Sequence, residues 1–217
     1  VATHAIGQVV APPRGACMSL PNIVPVVLAA GASSRMGSPK PLLPLGESTY
    51  LGTILDTLAG APVASPIVVL GHAAAEVLEA VDLREARAVV NENWGQGMLS
   101  SLQFGLRSLS DHGRVDAMLL VLVDVPRFRG ATIERLVAEF ARAPSVLVVP
   151  THAGEHGHPV LFARALFEEL LRAPAETGAR AVVDAHRADL LEVDVDDPWV
   201  IRDADTPEDH QRLIAVD

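Results

Sequence analysis

Five short runs rich in Val, Leu and Ile, at residues 23–28, 66–70, 86–90, 117–123 and 145–149, alternate with segments of helical spacing at 49–58, 73–81, 99–109 and 131–142. Runs of this length that stay apolar throughout suit strands covered on both faces, and the intervening helices supply the cover. The alternation predicts an α/β fold, a doubly wound and mostly parallel sheet with right-handed crossovers. In such sheets the ligand crevice opens beyond the carboxyl ends of the strands, so chemistry is expected in the segments that follow each run. After residue 155 the pattern changes to a Gly/His turn, an extended stretch at 159–162, helices at 164–171 and 178–186, and a Val/Asp alternation at 190–195. With no repeat and no linker-like composition, residues 21–217 read as a single domain. Residues 1–20, which carry Pro12 and Pro13, read as a poorly ordered N-terminal extension, with Met18 as a natural start.

Composition removes two classes of partner. The chain has 17 basic and 27 acidic residues, a net charge of −10, and 4% aromatic residues, whereas nucleic-acid binding draws on surplus cations and stacking rings. Its most hydrophobic uninterrupted stretch, 117–123, is far short of the ~20 residues that cross a bilayer, so no membrane partner is expected. The first 22 residues lack the basic start and apolar block of a signal peptide. The single cysteine, Cys17, cannot pair within the chain, which fits a reducing compartment and predicts a cytoplasmic protein.

Four post-strand segments could carry chemistry. LAAGASSRMGSPK, 28–40, follows the first strand; its small residues let backbone N–H groups approach a phosphate, and Arg35 and Lys40 supply two fixed cations. It is neither G-x-G-x-x-G nor a Walker A loop, and the plain alternative is a surface turn with solvated charges. In LVLVDVP, 120–126, Asp124 ends the most hydrophobic strand, where a carboxylate is costly unless paired, and a divalent metal is a common partner. The alternative is an Asp that caps the next turn. In DADTPED, 203–209, Thr206 and Pro207 make an ordinary helix start, which leaves Asp203 and Asp205 as candidate metal ligands ahead of the cap. NENWGQGMLSS, 91–101, offers Asn91, Asn93, Ser100 and Ser101 to a base or ribose around Gly95 and Gly97, while Trp94 could cover a ligand or plug the core edge. His152, His156 and His158 invite a zinc reading, but no cysteine supports it and the glycines between them break any helix, so a flexible polar lip over the crevice is expected instead.

Taken together, LAAGASSRMGSPKPLL at 28–43, VVLGH at 68–72, NENWGQGMLSSL at 91–102, LVLVDVP at 120–126, PTHAGEHGHPVLF at 150–162, GARAVV at 178–183 and DADTPED at 203–209 resemble the MobA-like nucleotidyltransferase family, most closely its molybdopterin cytidylyltransferase branch. The resemblance implies a Rossmann-like fold of the nucleotide-diphospho-sugar transferase type. It implies transfer of CMP from CTP to the phosphate of molybdopterin, with release of pyrophosphate and with Mg²⁺, or Mn²⁺, present. Carried over residue by residue, it places Leu28, Ala29, Ala30, Gly31, Ala32, Ser33, Ser34, Arg35, Gly37, Lys40, Gly71, Asn91, Asn93, Gly97, Ser100 and Ser101 at the nucleotide. Arg35, Lys40 and Asp124 become the catalytic set, with Lys40 where charge builds up. Asp124 with Asp205 or Asp203 would hold the metal, and His156, Gly157, His158 and Pro159 would face the acceptor. Val125 stands where the family often has Gln, and Ala204 where it has Ile; both departures leave the carboxylates intact. Ala30 stands where the guanylyl branch tends to have Gly, and the added methyl would crowd a purine, which favours CTP over GTP. A recipient molybdoenzyme or its chaperone is an implied partner. The alternatives are a nucleotidyltransferase for another small phosphorylated acceptor, such as a sugar or alcohol phosphate, and a non-catalytic nucleotide-binding accessory protein.

Overall fold

The computed structural model describes residues 20–142 and 145–215. The expected N-terminal extension, Cys17 and Met18 included, lies outside the described residues save for Leu20. In chain order the elements are β1 (Ile23–Ala29), β2 (Pro44–Leu45), β3 (Ser48–Thr49), α1 (Tyr50–Ala59), β4 (Ile67–Leu70), α2 (Ala74–Ala80), β5 (Arg87–Val90), α3 (Met98–Arg107), β6 (Ala117–Leu122), α4 (Gly130–Arg142), β7 (Leu147–His152), β8 (Glu155–His156), β9 (Val160–Ala163), α5 (Phe167–Arg172), α6 (Gly178–Ala185), β10 (Leu190–Asp194) and α7 (Pro207–Ile214). The main sheet runs β10-β7-β9-β6-β1-β4-β5, with β8 on β7, and β2-β3 form a separate ribbon. Pairing is parallel except where β9 runs antiparallel to both β6 and β7, and β8 antiparallel to β7. The mostly parallel, doubly wound α/β sheet read from the sequence is therefore the one present.

All seven residues of β1 are buried, because the sheet is covered on both sides. Ile23 and Val27 face one core with Ile54, Leu58, Ile133 and Leu136, while Val24, Val26 and Leu28 face another with Leu102, Leu106, Met118 and Phe162. In α4 the buried Ile133, Leu136, Val137 and Phe140 fall at i, i+3, i+4 and i+7, one helical stripe. Each such side chain contributes about 1.5–3 kcal/mol by leaving water.

Two boundaries differ from expectation for visible reasons. The helix expected to reach 109 stops at Arg107 and tightens into a 3₁₀ turn over Ser108–His112, ended by Gly113 at φ +69°. The strand expected at 145–149 instead runs to His152, because Thr151 pairs with Asp194 on one side and His156 on the other.

Asp197 is 1% exposed and holds the region behind β10 together. It accepts from the Arg129 N–H at 2.8 Å, the Thr132 hydroxyl at 2.7 Å and the Trp199 N–H at 3.2 Å. Asp197→Ala would bury three donors without a partner. It is expected to lower unfolding stability by about 2–4 kcal/mol, read as a reduced denaturation midpoint at unchanged slope.

Candidate active site

The chain leaves β1 for β4 and β5 on one side and returns through β6 on the other, so the switch of direction falls between β1 and β6. A cleft of about 380 Å³ opens there, at the carboxyl ends of both strands. Its walls are the turn from Leu28 to Arg35, Lys40 and Pro41, the β6 end at Leu122, Val123 and Asp124, the α3 approach at Trp94, Gly95, Gly97, Met98 and Ser101, and Asp205. Of the residues expected at the nucleotide, the structure thus brings Leu28, Ala29, Ala30, Gly31, Ala32, Ser33, Ser34, Arg35, Lys40, Gly97 and Ser101 to one hollow. The turn is shaped from within: Ser33 adopts φ +52°, its carbonyl accepts from the Met36 N–H at 2.9 Å, and its hydroxyl accepts from the Lys40 N–H at 3.0 Å.

Charge converges at the mouth of this turn. Lys40 Nζ lies 3.2 Å from Asp124 Oδ2 and 2.6 Å from Asp205 Oδ1, and Arg35 Nη2 lies 2.8 Å from Asp205 Oδ2. The Lys40 side chain is 12% exposed, against 67% for Arg35, so the lysine is fixed while the arginine reaches into solvent. The hydrogen bond from Lys40, with help from Arg35, holds the Asp205 carboxyl below the usual carboxylate range against its own burial. The two acidic segments are also joined through the main chain, since the Ala204 N–H donates to the Asp124 carbonyl at 2.8 Å.

The donor chemistry suits a hard divalent cation. Asp124 Oδ1 is buried with no hydrogen-bond partner, and Asp205 stands across Lys40 from it. Among the described residues no group of three or more His, Cys, Asp or Glu side chains is gathered for a metal. A cation held here would therefore take two protein carboxylates and complete its shell with phosphate oxygens and water, the habit of magnesium-type sites. Asp203 is exposed and is not among the cleft-lining residues; its charge is felt instead at His158.

Other expected nucleotide contacts act from behind the wall. Asn91 is 2% exposed, and its amide donates to Ser100 Oγ at 3.0 Å and Ser101 Oγ at 3.1 Å. Its Oδ1 accepts from the Asn93 N–H at 3.0 Å, and Ser100 Oγ in turn donates to the Asn93 and Gly97 carbonyls. Asn91, Asn93 and Ser100 thus brace the loop that carries Gly97 and Met98, and do not line the cleft. Gly71 also lies outside the lining, because it lets Trp94 pack: a Cβ there would meet the Ala30 carbonyl at 2.6 Å and Trp94 Cβ at 2.7 Å. Gly37 lies outside it too, in the left-handed bend at φ +69° that swings the chain toward Lys40. Trp94 packs on the edge of the second core, as one of its two readings has it, and edge-on to His72 at 5.0 Å, while also lining the cleft.

The segment 150–162 is a built element where a flexible lip was expected. β7 and β8 form a tight hairpin through Ala153 and Gly154, both at positive φ. His152 Nδ1 meets the Val195 carbonyl at 2.9 Å, and His156 Nε2 meets Glu192 at 2.7 Å, so His156 turns to the sheet edge and away from the cleft. Gly157 is pressed against Val200, whose carbonyl accepts from the His158 N–H at 2.8 Å, and a Cβ at 157 would overlap that carbonyl. The cis His158–Pro159 bond follows. His158 Nδ1 is buried without a partner, and burial holds the imidazole below the ordinary histidine range against the pull of Asp124 and Asp203.

Two features escaped the sequence. Met98, 64% exposed on the cleft wall, carried a signal in being an apolar residue straight after a glycine at a helix start. The contact between Tyr50 and His210, 2.8 Å, joins residues 160 positions apart and has no local signature.

A doubly wound sheet whose cleft of about 380 Å³ at the switch point sets two cations against two carboxylates has the architecture of a nucleotidyltransferase. The chain belongs to the MobA-like NTP transferase domain family, whose model matches residues 25–190. It is 30% identical over 203 residues to nicotine blue oxidoreductase of Paenarthrobacter nicotinovorans, covering 90% of this chain and 98% of that one. It is 27% identical over 188 residues to the molybdenum cofactor cytidylyltransferase of Escherichia coli K12, covering 85% and 91%. Among solved structures, Rv0371c of Mycobacterium tuberculosis H37Rv superposes with a TM-score of 0.80 at 34% identity, covering 91% of this chain and all of that one. Rv0371c has also been solved in complex with manganese. Among the described residues no helix is long and apolar enough to cross a membrane.

Proposed function

We propose that this chain transfers CMP from CTP to the phosphate of molybdopterin and releases pyrophosphate. The observation that carries the reading is the Arg35–Lys40–Asp124–Asp205 cluster beside the glycine-rich turn. In this reading the triphosphate lies along Ala29–Arg35, its oxygens meeting main-chain N–H groups and Arg35. An oxygen of the acceptor phosphate attacks the α-phosphorus, the bond from that phosphorus to the α–β bridging oxygen breaks, and pyrophosphate departs with the electron pair. Such transfer needs alignment and charge neutralisation more than covalent help, so no side-chain nucleophile is called for. Lys40 is fixed where it can neutralise charge growing at the α-phosphate. Asp124 and Asp205 would hold Mg²⁺, or Mn²⁺, which lowers the cost of bringing phosphate charges together.

The acceptor is assigned to the side of Gly157, His158 and Pro159, while His156, turned to Glu192 at the sheet edge, stands apart from it. Ala30, a buried residue at the cleft, stands where the guanylyl branch tends to have Gly, and the added methyl supports CTP over GTP. In a cell the product would pass to a molybdoenzyme or its chaperone, which fits a cytoplasmic protein.

Pyrophosphate release measured with CTP or GTP, with and without molybdopterin, tests this. Release that requires the pterin and is at least about tenfold faster with CTP is the expected result, a preference of about 1.4 kcal/mol. Turnover only with a sugar or alcohol phosphate would move the acceptor to that class. Nucleotide binding without turnover on any acceptor would make the chain an accessory protein.

A further inference from the structure

We propose that Tyr50 and His210 are positioning residues that set the Lys40–Asp205 pair in register, an assignment that rests on the nucleotidyl-transfer reading. Tyr50 is the chain's single tyrosine, the first residue of α1, and fully buried. Its main-chain N–H donates to the Leu43 carbonyl at 2.9 Å, and the Leu43 N–H donates to the Lys40 carbonyl at 3.1 Å. The tyrosine backbone therefore grips the short turn Lys40–Leu42. Its hydroxyl reaches the other way, to His210 Nδ1 at 2.8 Å on α7, with the two rings 5.6 Å apart.

That second contact governs Asp205. The Asp209 carboxylate, one residue before His210, accepts from the Asp205 N–H at 3.3 Å, the Thr206 N–H at 3.0 Å and the Thr206 hydroxyl at 2.7 Å. Asp205 thus moves with the first turn of α7. In α7 only Leu213 is buried, so polar ties place the helix: the Tyr50–His210 bond, the Arg127 guanidinium donating to the Leu213 carbonyl at 2.6 Å, and, just ahead of the cap, the Ala204 N–H donating to the Asp124 carbonyl at 2.8 Å. One residue thereby fastens both segments whose tips meet in the 2.6 Å Lys40–Asp205 contact. Burial, with the Asp209 and Asp124 charges, pushes the phenol pKa up to about 12, so at neutral pH the hydroxyl keeps its proton. Displacing a phosphate-binding group by about 1 Å can cost on the order of a hundredfold in rate.

The test is Mn²⁺ binding followed by electron paramagnetic resonance with CTP present, alongside turnover. It is made on the wild type, Tyr50→Phe, His210→Ala and His210→Asn. Phenylalanine keeps the ring packing and removes the hydroxyl. Asparagine places an acceptor oxygen near the position of Nδ1. Tyr50→Phe and His210→Ala are expected to raise the Mn²⁺ half-saturation concentration at least about fivefold and to lower kcat with little change in KM for CTP. His210→Asn should recover most of that loss. Wild-type Mn²⁺ binding in both Tyr50→Phe and His210→Ala would overturn the assignment while leaving nucleotidyl transfer intact. Equal losses in Ala and Asn variants, matched by lowered melting temperatures, would overturn it in favour of packing. Absence of Mn²⁺ binding with CTP in the wild type would overturn the nucleotidyl-transfer reading, and this assignment with it.

Discussion

Asp124→Ala is expected to lower pyrophosphate release at least about a thousandfold and to leave the melting temperature within a few degrees of wild type. The separation follows from which atoms of Asp124 do what. Its place in the fold is held by its main-chain carbonyl, which accepts from the Ala204 N–H at 2.8 Å and survives the substitution. Its side chain gives one oxygen to Lys40 at 3.2 Å and leaves the other buried and unpaired. A buried acceptor without a partner destabilises the folded chain, so losing it carries little penalty. Lys40 keeps its shorter contact with Asp205. Asp124→Asn preserves the shape and removes the charge, and should be nearly as inactive. Wild-type turnover in either variant would take Asp124 out of the mechanism.

Lys40→Ala is expected to lower kcat at least about tenfold, or about 1.4 kcal/mol of transition-state stabilisation. The ammonium is nearly enclosed, bonds both carboxylates, and follows a backbone N–H anchored to Ser33 Oγ. A strut and a catalyst make opposite demands on this variant. Were Lys40 only a strut between two acidic segments, thermal stability would fall while the rate per folded molecule stayed constant. In the catalytic role the rate falls in protein that remains folded. Steady-state kinetics on variant whose folded fraction is checked by circular dichroism separates the two.

The sheet was legible because its central strands obey one rule along their length. Buried on both faces, 23–28 and 117–123 stay apolar at every position and cannot be mistaken for alternating strands. The glycine turn and Asp124 were legible for a related reason: polar groups at the exit of such a strand need a use. The rest depends on contacts far apart in sequence. Nothing local in 159–163 says that β9 slots antiparallel between β6 and β7. Asn91 reads as a ligand contact by residue type, yet the fold turns it inward to hold two serines. Asp203 and Asp205 look equivalent on paper. The Ala204 bond and the α7 cap help send Asp205 toward Lys40 and leave Asp203 outside.

The two carboxylates at the mouth of the turn are contributed by stretches that leave the ribosome at very different moments. A nascent chain would display the glycine turn and Asp124 before α7 existed to hold Asp205. On the proposed reading, a chain translated only as far as Asp124 lacks the Asp205 carboxylate, and with it half of the protein's share of the metal site.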